Sequence, residues 1–98
     1  MLSVYTTERF DRWFCSLKDR LDAKRIQARI DRIEDGHFGD FKHVGEGVSE
    51  LRFHFGPGYR VYFIRQGDAV VVLLGGGTKA SQSVDIRSAI RLAGDLRS

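Results

Sequence analysis

Two arginines, a histidine and a tyrosine fall on alternate positions of two adjoining β-prone runs, a spacing that collects them on one side of a sheet. In VSELRFHF (48–55), Leu51, Phe53 and Phe55 alternate with Glu50, Arg52 and His54. GPG at 56–58 signals a turn, after which Tyr59, Val61 and Phe63 alternate with Arg60 and Tyr62. A hairpin closed on GPG sets Phe55 opposite Tyr59 and Phe53 opposite Val61. His54 then faces Arg60, and Arg52 faces Tyr62, on the other side. Lys79 comes just after the third run, AVVVLLG, and its glycines, where the sheet is expected to end.

Such a face suits a phosphate, because each guanidinium offers paired N–H donors to anionic oxygen. In phosphodiester cleavage charge grows on the non-bridging oxygens, and fixed cations aimed there lower the barrier. RNA brings its own 2′-hydroxyl nucleophile, so the reaction needs neither a metal nor a side-chain nucleophile. It still needs a general acid or base, for which His54, Lys79, Tyr62 and Asp85 are candidates. The competing reading is a plain solvated surface.

Other chemistries lack their signatures. His37, His43 and His54 have no paired metal-ligand spacing, and Cys15 is distant, so no metal or cofactor is expected. GGGTK departs from the phosphate-loop spacing, and no serine lies in a G-x-S-x-G elbow. The glycines are expected to turn the backbone out of a buried strand and expose Lys79.

The three runs from Val48 to Gly75 predict an antiparallel meander, which Leu2–Tyr5 joins as a further strand. Thr6 or Thr7 caps a helix through ERFDRWFCSLKDR, with Phe10, Trp13, Phe14 and Leu17 as its apolar stripe and Cys15 as a filler beside it. Asp22 caps a second helix, Ala23 to Glu34, carrying Ala23, Ile26, Ile30 and Ile33 inward. Its Lys24, Arg25, Arg29 and Arg32 read as a solvated face. His37 to Gly47 shows no period and is expected to be a loop. Ser81 or Ser83 starts a last helix with a narrow stripe of Val84, Ile86, Ala89, Ile90 and Ala93. The order is β-α-α-β-β-β-α. The α-hairpin covers the dry face, and the last helix leaves Arg52, His54, Arg60 and Tyr62 partly open.

Ninety-eight residues suit one domain, 1–98, with one core. Net charge is +3, and twelve of the 16 basic residues are Arg, which favours phosphate-rich or acidic partners. A single cysteine and the absence of a signal-peptide pattern or a membrane-length apolar run predict a cytoplasmic protein with no membrane partner.

The blocks GDFKHVGEGVSELRFHFGPGYRVYF and LLGGGTKASQSVDI resemble the RelE/ParE superfamily of type II toxin–antitoxin toxins. The likeness is to the HigB-like addiction module killer proteins and runs from Tyr5 to about Leu96. It implies an α+β RelE/ParE-like fold with a twisted antiparallel sheet, an α-hairpin on one face and a C-terminal helix. It also implies a toxin that inhibits translation by ribosome-dependent cleavage of mRNA, an mRNA interferase held in check by a cognate antitoxin. That antitoxin is expected to be acidic and to carry a helix-turn-helix. By position, Arg60, Arg52 and Lys79 match the family's functional basic residues. Asp85 stands where some members carry a catalytic tyrosine, which leaves the acid–base group open. His54, Tyr62, Lys42 and Gln82 are assigned to RNA contact. ParE-like members share the fold but inhibit DNA gyrase without being nucleases, the alternative reading.

Overall fold

Alternating strand patterns and two amphipathic helical runs resolve into a five-stranded sheet covered by helices on both faces. The computed structural model describes residues 1–97. The elements are β1 (Ser3–Thr6), α1 (Glu8–Cys15), α2 (Arg20–Ile33), β2 (Phe41–Gly45), β3 (Val48–Arg52), β4 (Tyr59–Gln66), β5 (Val70–Thr78) and α3 (Gln82–Arg97). A single 3₁₀ turn, Lys79–Ser81, leads into α3. Strand order is β1-β5-β4-β3-β2. No helix among the described residues is long and apolar enough to cross a membrane.

One face of the sheet carries Leu51, Phe53, Val61, Phe63 and Leu73. These pack with Phe10 of α1 and with Ile26, Ile30 and Ile33 of α2. Burying each such side chain contributes about 1.5–3 kcal/mol. The opposite face buries Val48, Tyr62, Ile64 and Leu74 under Ala89 and Ala93 of α3. Those two small residues let α3 lie close to the sheet. The helix starts are set by side-chain caps: Thr7 Oγ accepts the Phe10 N–H at 3.1 Å, and Asp19 accepts the Asp22 N–H at 3.0 Å.

Several expectations need correction. The sheet is mixed, because β1 pairs parallel with β5 while the other pairs are antiparallel. The expected loop 37–47 contains β2, a short edge strand exposed everywhere but Val44, which is too little burial to give it a period. Asp19, not Asp22, caps α2, and α1 ends at Cys15, which is exposed rather than core filler. The hairpin register is shifted by two residues from the expected one, which lengthens the turn. Arg52 lies opposite Arg60 and Leu51 opposite Val61. The Gly58 N–H turns back to the Phe55 carbonyl at 3.1 Å, with Gly56 and Gly58 at φ +56° and +74°. This draws Phe55 out of the ladder and leaves His54–Gly58 as the turn. Because the shift is even, each side chain keeps its face.

The glycines at 75–77 do not turn the chain; they continue β5. A Cβ on Gly76 would run into the Trp13 ring, and one on Gly77 into the Asp85 carboxylate. Helices therefore press on this bare stretch of backbone from both sides, and Lys79 follows one residue beyond the strand's end.

Candidate functional site

The β3–β4 turn, β2 and the start of α3 enclose an open cleft of about 700 Å³. Lys42 of β2, Arg52 of β3, His54 of the turn, Arg60 of β4, Lys79 and Gln82 all line it, with Glu50, Phe53 and Gly56–Gly58. Six of the eight side chains singled out from the sequence thus share one concavity. Tyr62 and Asp85 are not among its lining.

Arg60 forms the floor. Its side chain is only 9% exposed, and its Nε lies 4.0 Å from Glu50, whose side chain is 1% exposed. Gln82 Nε2 reaches both Glu50 oxygens at 2.9 Å, fixing the carboxylate. Arg60 Nη1 donates to the carbonyls of Gly58 and Tyr59. A buried guanidinium needs such company, since an isolated charge removed from water is costly. Arg60 Nε itself has no hydrogen-bond partner, its ion pair with Glu50 being too long for one.

Arg52 is tied differently. Its Nε and Nη2 donate to Asp40 Oδ1 at 3.3 and 2.9 Å, while the other oxygen of Asp40 meets His54 Nε2 at 2.5 Å. The bond from Arg52, and then the one to His54, hold the Asp40 carboxyl below the usual carboxylate range. Asp40 is anchored by its own backbone: its carbonyl accepts the Arg52 N–H at 2.9 Å and Arg29 Nη2 at 3.1 Å. Arg29 also donates to the carbonyls of Phe38 and Arg52, and its guanidinium lies 4.4 Å from the centre of the Phe53 ring. It is a clamp on the chain before β2, which corrects its reading as part of a solvated face.

Lys79 and Lys42 are exposed. Lys79 Cβ stands 3.2 Å from where a Cβ on Gly58 would be, so the turn and the 3₁₀ segment are in near contact. Tyr62, expected to be partly open, is 1% exposed beneath α3, and its hydroxyl has no partner. Burial, with the charges of Glu50 and Asp85, pushes that hydroxyl's pKa up, away from use as an acid or base. Asp85 accepts a 2.5 Å bond from the Ser81 hydroxyl and lies against Gly77. It braces the start of α3. Among the described residues no group of three or more His, Cys, Asp or Glu is placed to hold a metal ion.

Asp40 and Arg29 were missed from sequence. Asp40 sits in an aperiodic stretch with nothing local to mark it, and Arg29 is one of several basic residues on α2. Glu50 was visible as a member of the polar face, but its burial depends on α3.

Fold and cleft together define a small α+β protein with a cationic hollow at one end of a mixed sheet. The chain belongs to the family described as phage derived protein Gp49-like (DUF891), which it matches over residues 12–97. It is 44% identical over 95 residues to an uncharacterized protein of Haemophilus influenzae (strain ATCC 51907 / DSM 11121 / KW20 / Rd), covering 97% of this chain and 96% of that one.

Proposed function

We propose that this protein is the toxin of a phage-derived toxin–antitoxin module and that its cleft cleaves messenger RNA on the ribosome. Membership of the Gp49-like family supports the toxin reading. One observation carries the nuclease reading: cations from four separate segments, Lys42, Arg52, Arg60 and Lys79, line a single cleft together with a histidine.

Their exposure divides the labour. Arg60, buried against Glu50, supplies a fixed positive floor. Arg52, 36% exposed, and Lys79 at the rim are the groups a phosphate would touch. The 2′-hydroxyl attacks phosphorus, the P–O5′ bond breaks, and a 2′,3′-cyclic phosphate and a 5′-hydroxyl are left. Charge accumulating on the non-bridging oxygens is met by cations already in place. Lys42 and Gln82 would contact the flanking nucleotide backbone. A cognate antitoxin of acidic character would silence the site by covering these cations.

The test is in vitro translation with mapping of mRNA ends, run beside a gyrase supercoiling assay. We expect cut messages with wild type, and at least ~100-fold less cutting with Lys79→Ala, an exposed residue whose loss spares the core. Intact messages with inhibited supercoiling would replace the nuclease reading with gyrase poisoning. Intact messages and normal supercoiling would refute both.

A further inference from the structure

We propose that His54 is the acid–base group of the cleft and that Asp40 is the residue that positions it, together with Arg52. This rests on reading the cleft as a site of RNA cleavage.

Of the three histidines, only His54 lines the cleft. His43 is engaged through Nδ1 with the Ser49 hydroxyl at 2.8 Å, and His37 borders a separate hollow with Arg29 and Arg32. His54 is 72% exposed, so substrate and solvent protons can reach it. Its Nε2 is held by Asp40 Oδ2 at 2.5 Å. A carboxylate accepts, so in the neutral ring the proton sits on Nε2 and Nδ1 carries the lone pair. Nδ1 is therefore the nitrogen that takes a proton from substrate.

Asp40 cannot easily swing away. Its carbonyl is pinned by Arg29 and by the Arg52 N–H, and its other carboxylate oxygen carries Arg52. One residue thus sets the distance between a phosphate-binding guanidinium and a proton-accepting imidazole. The charges sharing the cleft with His54 are Lys42 from β2, Glu50 and Arg52 from β3, Arg60 from β4 and Lys79 ahead of α3.

In the cleavage step the 2′-hydroxyl proton moves to His54 Nδ1 as its oxygen bonds to phosphorus. The P–O5′ bond breaks, and O5′ takes a proton from the Lys79 ammonium. His54 then releases its proton to water, and Lys79 regains one.

The experiment combines long-range ¹H–¹⁵N spectra of the imidazoles with cleavage assays. Wild type should show His54 protonated at Nε2 with a bare Nδ1. Asp40→Asn, whose amide can donate to Nε2, should shift the ring toward the Nδ1–H form and slow cleavage at least ~10-fold. His54→Gln should lose ~100-fold or more, and added imidazole should restore part of the activity of His54→Ala. A merely structural histidine would not be rescued in this way. Wild-type cutting by His54→Gln, with Lys79→Ala inactive, would overturn this assignment while leaving the cleft's function standing. So would an Nδ1–H tautomer in the wild type. A wild type that leaves RNA uncut would overturn both together.

Discussion

Arg52 and Arg60 stand directly opposite each other across β3 and β4, yet each guanidinium is committed to a different carboxylate. Like charges placed opposite on paired strands normally repel. Here Asp40 takes one from the loop side and Glu50 takes the other from within the sheet, so two cations coexist at one end of a hairpin. The cleft's charge is thus held in place within the free protein.

The buried half of this arrangement governs stability. Glu50→Ala should leave Arg60 as an uncompensated buried charge and cost about 3–5 kcal/mol in urea unfolding. Arg60→Ala should cost a similar amount, by stranding Glu50. Loss of activity in Arg60→Ala is therefore informative only beside its melting curve. A change below ~1 kcal/mol in either variant would mean that the pair is not buried as described.

The exposed half governs acid sensitivity. Because its native pKa is depressed, Asp40 adds stability that is fully present above its unfolded value of about 3.9 and is lost as pH falls through the lower native value. Carbon-13 titration of the Asp40 carboxyl should give a midpoint below 3.8, and the Arg52 guanidinium signals should broaden as it protonates. A midpoint at or above 3.8 would show that the clamp does not form in solution.

Glycines 76 and 77 have no room for a side chain. Gly76→Ala should collide with Trp13 and Gly77→Ala with Asp85, each destabilising by about 1–3 kcal/mol through overpacking. Gly94→Ala, on an exposed turn of α3 with open space around the new methyl, should instead stabilise by about 0.5–1 kcal/mol. Thermal melts of the three variants distinguish these outcomes, and equal effects would refute the packing argument.

Binding of single-stranded RNA should weaken with salt, as expected for contacts to phosphate. Removing Lys42 or Lys79 should each lower the slope of log K against log salt by about 0.7. A slope unchanged in both variants would place the RNA elsewhere on the surface.

Much of this is legible in the chain itself. Alternation around Leu51, Phe53, Val61 and Phe63 fixes which residues face the α-hairpin, and an even register shift cannot undo that. The 3.6-residue spacing of Phe10, Trp13 and Phe14 marks α1 in the same local way. What escaped were properties set by distant partners. Tyr62 alternates like a wet-face residue, but α3 covers it. β2 shows no period because it is a short edge strand in which only Val44 is partly buried. Asp40 matters because Arg52 and His54 bind its carboxylate from the next strand and turn, while Arg29 holds its carbonyl from α2. No window of neighbouring residues contains that information.

The parallel pairing of β1 with β5 has a temporal side. Ser3–Thr6 cannot find their partners at Val70–Leu73 until those residues, 67 positions further along, have been made, and the Thr7 hydroxyl closes the seam on the Leu74 carbonyl across the same separation. Contacts this remote form late, after the local hairpins have paid their loop-closure entropy. A growing chain therefore holds its first strand unpaired until β5 is available to it.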